Sequence, residues 1–87
     1  MFKIVKKIDL NESVCMMEIE APRVAAKAQA GQFIILRVDE NGERIPLTIA
    51  GYDRHQGIVR IIFQKVGATT KRLGTFEEGE CIEDFVG

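Results

Sequence analysis

The stretch QFIILRVDENGERIPLTIAGY, Gln32 to Tyr52, decides how this chain is read. Apolar residues dominate its first limb and alternate along its second, RIPLTIAGY, Arg44 to Tyr52. A period of two is the mark of a β-strand. Between the limbs lies Asp39-Glu40-Asn41-Gly42-Glu43, and Asn-Gly is a strong hairpin signal because both residues tolerate positive φ. The limbs are therefore predicted to pair as antiparallel neighbours. The second limb carries Pro46 near its start. Proline cannot donate to a ladder, so it belongs at an edge, a strand start or a bulge, where backbone groups stay free for a ligand. Alternation sets Arg44, Pro46 and Thr48 on one face and Ile45, Leu47 and Ile49 on the other.

The same period runs outward in both directions. Strands are predicted over about residues 2–8, 14–20, 32–38, 44–52, 58–66 and 80–86. Arg23–Ala30 reads as a turn or a short helical piece after Pro22. GATTKRLGTF, Gly67 to Phe76, breaks the strand pattern and suits a short helix with a threonine near its N-terminus. Many strands with hairpin-length connections predict a small antiparallel barrel or sandwich. Ile34, Leu36, Val38, Val59, Ile61 and Phe63 form its expected interior. Ile58, Ile62 and Val66 share the opposite face with Arg60 and Gln64, and a strand apolar on both faces is covered on both, by another domain, a partner or a ligand.

With 87 residues there is room for one domain. Apolar residues make up 46%, and the formal net charge is −1 with signs interleaved, so no basic surface for nucleic acid or membrane is expected. No apolar run approaches the roughly 18 residues of a membrane helix. MFKIVKKIDL lacks the apolar core of a signal peptide, and a cytoplasmic location is expected. Cys15 and Cys81 have no metal-ligand spacing and read as reduced core thiols. The single histidine, His55, and the single serine, Ser13, lie in polar turns. No catalytic residue and no metal ligand is assigned, and the chain by itself is not expected to be an active enzyme.

Two stretches remain for chemistry. RIPLTIAGY sets a cation, Arg44, and a hydroxyl, Thr48, on one strand face. QKVGATTKRL, Gln64 to Leu73, runs from a strand into Gly67 and then into Thr69 and Thr70 at a helix start. A helix N-terminus presents unpaired N–H groups and favours a phosphate. The plainer alternative is that a threonine caps the helix and Gly67 permits the turn. Taken together, the stretches fit a ligand with a flat ring at one end and phosphates in the middle, laid across an apolar sheet face. A flavin-free interaction module using that face is the rival from another class.

These motifs resemble the FAD-binding barrel of the ferredoxin–NADP reductase superfamily. The likeness is greatest to the flavoprotein subunits of ferredoxin:NADP oxidoreductase and sulfide dehydrogenase, and next to the electron-transfer subunit of dihydroorotate dehydrogenase. AGQFIILRV resembles the family's PGQFV-type strand, RIPLTIAGYD its R-x-Y-S or R-P-x-S flavin motif, VGATTKRL its G-x-G-T-x-x-L phosphate loop, and ECIEDFVG its closing strand. The resemblance implies a six-stranded antiparallel Greek-key barrel with one short helix, residues 1–87 being one FAD-binding domain. It implies FAD contacts from Arg44, Ile45, Pro46, Leu47 and Thr48, with Thr48 near the flavin N5 and Leu47 against the ring. Ile62, Phe63 and Gln64 match the strand beneath the ribityl and adenosine portions, and Gly67, Thr69 and Thr70 the pyrophosphate loop. In three places the pattern differs: Ile45 holds the motif's arginine position with Arg44 one residue earlier, Leu47 stands where tyrosine is often found, and Thr69 replaces a loop glycine.

Family members continue into an NAD(P)-binding domain, and some into a [2Fe–2S] cysteine cluster. Neither a G-x-G-x-x-G nor such a cluster occurs in these residues, so they are expected to represent the flavin part alone. The implied function is electron transfer between NAD(P)H and an iron–sulfur protein or a catalytic partner subunit. Weak FAD retention and self-association through an apolar face including Ile58, Ile62 and Leu47 are expected of the isolated piece.

Overall fold

A computed structural model describes residues 1–87. The chain runs β1 (Phe2–Asp9), β2 (Val14–Glu20), α1 (Pro22–Lys27), β3 (Phe33–Arg37), β4 (Ile45–Asp53), β5 (Ile58–Gln64), α2 (Ala68–Leu73), β6 (Cys81–Ile82) and β7 (Asp84–Val86). Strand order is β6-β1-β2-β5-β4-β3-β7, and every pairing is antiparallel. Because β6 pairs with β1 and β7 with β3, the last stretch of chain bridges both edges and nearly closes a Greek-key barrel.

Seven strands replace the expected six because residues 80–86 change partner midway. Cys81 pairs with Lys3, Asp84 pairs with Arg37, and at the corner the Glu83 N–H donates to Val38 O at 3.3 Å. Two helices replace one. Pro22 supplies a preset φ at the first turn of α1, where its missing N–H is harmless. Ala21, Ala25 and Ala28 are then small enough to bury against the core.

The interior is the predicted one. Ile34, Leu36, Val38, Val59, Ile61 and Phe63 are all buried, joined by Cys15, Met17, Ile19, Ile49, Ile82 and Phe85. Both cysteines are free thiols. Cys15 is fully buried, and desolvation first, with the Asp9 carboxylate second, pushes its thiol pKa up.

The β3–β4 hairpin forms as expected, but its turn does not. Asn41 and Gly42 do not take positive φ. The connection runs from Val38 to Arg44, too long for a two-residue type I′ turn, and Asp39 organises it instead. Its carboxylate accepts from Asn41 N–H and its carbonyl from Gly42 N–H, both at 3.1 Å. Gly57 is where the left-handed region is required. Its φ is +69°, and a Cβ there would lie 3.1 Å from Pro22, while its carbonyl accepts from Ala21 N–H at 2.8 Å. No helix is long and apolar enough to cross a membrane.

Candidate functional site

β4 changes partners along its length. Ile45 to Thr48 pair with β3, whereas Ile49 to Asp53 pair with β5, with an irregularity between Ile49 and Gly51. Pro46 therefore falls in the half registered to β3 alone, opposite Ile35. On its other side the seam toward the end of β5 is not laddered. Proline fits there because no hydrogen bond to β5 is forfeited.

The two faces of this half-strand differ as the alternation predicts. Arg44, Pro46 and Thr48 are exposed, while Ile45 and Leu47 are half-buried and pack on the core. Leu47 therefore does not lie on the face that carries Thr48, which argues against the ring-packing role implied by the motif. On β5, Ile62 and Gln64 face outward and Phe63 is inside, so Phe63 can offer a ligand only its backbone. The Thr48 hydroxyl makes no hydrogen bond within the protein and lies about 13 Å along the chain from Arg44, at some 3.3 Å per residue.

Beyond β5 the chain passes through Val66 and Gly67 into α2. Gly67 is the N-cap and, lacking a side chain, caps nothing; Thr70 supplies the contacts from inside the helix. Its hydroxyl accepts from Val66 N–H at 3.1 Å and Gly67 N–H at 3.0 Å, and donates to Gly67 O at 3.2 Å. The Thr70 side chain is thus occupied by its own loop. The amides of Ala68, Thr69 and Thr70 precede the first helical bond, Lys71 N–H to Gly67 O at 2.9 Å, and have no partner inside the helix. Thr69 donates to the Glu43 carboxylate at 3.0 Å, and Arg72 pairs with Asp39 at 2.6 Å. These two contacts tie α2 to the β3–β4 connection and bring Arg44 to the same corner.

Residues the motifs did not single out complete the surroundings. Arg37 and Arg44 both reach Asp84 Oδ2, at 2.7 Å and 3.4 Å. Phe33, Ile35, Ile62, Val66 and Val86 are exposed apolar side chains of β3, β5, its C-terminal extension and β7, with Met1, Ile8, Leu10 and Tyr52 exposed elsewhere, whereas Ile58 is 8% exposed and Leu47 only partly so. The apolar face expected at Ile58, Ile62 and Leu47 thus survives only at Ile62. Ile58 is covered at the start of β5, between Glu20 and Asp53 on the neighbouring strands. The signal for the real face was present in the alternation Phe33-Ile35-Arg37, opposite the buried Ile34-Leu36-Val38. His55 is exposed, as expected of its turn.

No family model matches the sequence. The structure described under "Insights into flavin-based electron bifurcation via the NADH-dependent reduced ferredoxin-NADP oxidoreductase structure" superposes with a TM-score of 0.95 at 42% identity, covering 98% of this chain and 31% of that one. Fold and motifs together define a β-barrel of the ferredoxin–NADP reductase kind, as the resemblance implied.

Among curated proteins, the chain is 42% identical over 85 residues to the "dihydroorotate dehydrogenase B (NAD(+)), electron transfer subunit homolog" of Thermotoga maritima, covering 98% of this chain and 30% of that protein. It is 58% identical over 87 residues to an uncharacterized protein of the adh 3′ region of Clostridium beijerinckii, covering 100% of this chain and 29% of the relative. A dihydroorotate dehydrogenase B electron transfer subunit of Shouchella clausii is 34% identical over 83 residues, 92% of this chain and 32% of that protein. The chain spans about a third of the length of the relatives it matches.

Proposed function

We propose that this chain is the FAD-binding part of an NAD(P)H-linked flavin oxidoreductase that passes electrons between a nicotinamide cofactor and an iron–sulfur protein. One observation carries the reading. Pro46 and Thr48 on the outer face of β4, with Arg44 just before the strand, are exposed beside a seam that is not laddered, and that seam leads to the start of α2. The donor set fits a flavin dinucleotide. Arg44 contributes five N–H donors, of which Asp84 engages one at 3.4 Å. The α2 amides lack helical partners, Thr48 has a free hydroxyl, and Pro46 and Ile62 offer apolar surface between them.

In this reading Arg44 and the amides of Ala68, Thr69 and Thr70 hold phosphate, a charge-assisted contact by direction and donor type. Thr70 keeps the loop in shape from behind. Thr48 offers a hydrogen bond at the ring end, and the outer faces of Pro46 and Ile62 exclude water along one side. Leu47 and Ile45 hold β4 to the core, and Phe63 and Gln64 bound the floor of the seam. FAD, when bound, supplies the conversion between two-electron and one-electron transfer.

The NAD(P) site, a [2Fe–2S] centre and a catalytic partner subunit belong, in this proposal, to sequence outside these residues, and the assembly is cytoplasmic. The names of the Thermotoga and Shouchella relatives favour a second reading, an electron-transfer subunit serving dihydroorotate dehydrogenase. Titrating FAD into the protein at its full natural length, followed by flavin absorbance and fluorescence, tests the binding claim. Saturable binding at a one-to-one ratio supports it, and no binding overturns it. Reduction of the bound flavin by NADH or NADPH, with ferredoxin or orotate as the partner couple, separates the two readings.

A further inference from the structure

Arg37 and Arg44 approach one another across the β3–β4 hairpin. The last registered pair is Leu36 with Ile45, and one step further places Arg37 opposite Arg44. Like charges directly opposite one another destabilise a sheet. Here both guanidiniums meet a single carboxylate oxygen, Asp84 Oδ2, on the strand that closes the barrel. Two positive charges thus share one negative charge. Of the neighbouring carboxylates, Asp39 pairs with Arg72, Glu43 accepts from the neutral Thr69 hydroxyl, and none of Glu40, Glu43 and Glu83 forms an ion pair with either arginine.

The two arginines are held differently. Arg37 uses Nε on Asp84 and Nη1 on Glu40 O at 3.2 Å, and its side chain is 24% exposed. Arg44 has one long contact and is 58% exposed. Arg37 is therefore the oriented member and Arg44 the adaptable one. Arginine remains charged throughout the accessible pH range, so the repulsion between the two guanidiniums persists at every pH and is relieved by an anion held between them. A phosphate beside the pair relieves the repulsion and takes up the N–H donors that Asp84 leaves free.

We propose that Arg37 is a second phosphate-binding cation of the site, and that Asp84 is a positioning residue that aims both arginines. This rests on the proposed FAD reading and adds to it residues that the flavin motif does not contain. Asp84 acts through the arginines and does not itself touch the ligand.

The test compares FAD with riboflavin, which has the ring but no phosphate, on the protein at its full natural length. Arg37→Gln is expected to weaken FAD binding about tenfold and to leave riboflavin binding unchanged. Arg37→Lys keeps the charge without the planar fork and recovers part of the loss. Asp84→Asn removes the aiming carboxylate and is expected to weaken FAD binding although it makes the site more positive. Tighter FAD binding by Asp84→Asn would show the carboxylate to be a competitor and overturn the positioning role. Wild-type FAD affinity in Arg37→Gln, or equal losses for FAD and riboflavin, would overturn the role of Arg37. A wild-type protein that binds neither flavin overturns the flavin reading itself, a result distinct from the others.

Discussion

The two helices have the same length and opposite tasks. α1 opens on Pro22, has no side-chain cap, and buries alanine against the barrel. α2 opens on Gly67, is braced by the Thr70 hydroxyl, buries only Leu73, and carries Lys71 and Arg72 in its last turn. Around α1 the close contacts are mostly backbone and apolar, as where Gly57 meets Pro22, with one guanidinium, Arg54, donating to Ala28 O at 2.7 Å just past its last turn. Around α2 they are hydroxyls, carboxylates and guanidiniums. Six residues are too few for a helix to hold itself, so each is stabilised by what it packs on. One is a plug for the core, and the other borders a polar corner, the place proposed here for phosphate.

The largest expected effect lies at the plug. Gly57→Ala forces a side chain into a positive-φ position within 3.1 Å of Pro22. It should cost about 2 kcal/mol or more of stability in urea unfolding and leave the FAD affinity of the folded fraction unchanged. A stable Gly57→Ala would show that the α1 end is looser than its contacts imply.

At the other end the effect should fall on binding. Arg44→Gln should weaken FAD about tenfold, equivalent to about 1.4 kcal/mol, with little change in unfolding midpoint. The loss should shrink at high salt because the contact is exposed. If stability falls instead, Arg44 belongs to the barrel's framework and the contrast between the two ends fails.

Thr70→Val sharpens the comparison further. It removes the hydroxyl that braces Val66 and Gly67, so stability should fall by about 1 kcal/mol. FAD affinity should follow the loop and fall by less than for Arg44→Gln. A loss of about 100-fold at unchanged stability would show that the Thr70 hydroxyl meets the phosphate itself.

The smallest effect is a pH dependence in the shared core. The Cys15 thiol pKa is raised from its ordinary 9.0 by burial, so above that pH the unfolded chain loses a proton that the folded chain keeps. Stability from this group is therefore present below pH 9 and lost as pH rises further. Cys15→Ala should flatten that alkaline slope in a series of unfolding curves. A thiol reagent on the native protein should modify the partly exposed Cys81 before Cys15.

Much of this was legible because strand period and burial follow the same rule. Alternation alone assigned Val59, Ile61 and Phe63 to the interior and Arg44, Pro46 and Thr48 to the surface, and the sheet leaves no other choice once one face is buried. Pro46 announced an incompletely paired strand for the same local reason: a missing N–H is missing in any fold. The motif likeness extended this to topology and is the source of the proposed ligand class.

What remained depended on residues far apart in the chain. No local signal tells that the run from Cys81 to Val86 leaves β1 for β3 at Glu83, since that is decided by which edges the barrel must close. Nor does local sequence place Asp84 between Arg37 and Arg44, set Asp39 in charge of a turn that the hairpin signal assigned to Asn41-Gly42, or cover Ile58 while leaving Phe33 bare. Side-chain direction is a property of the strand and was read from the sequence. Side-chain company is a property of the closed barrel, and only the tertiary structure decided it.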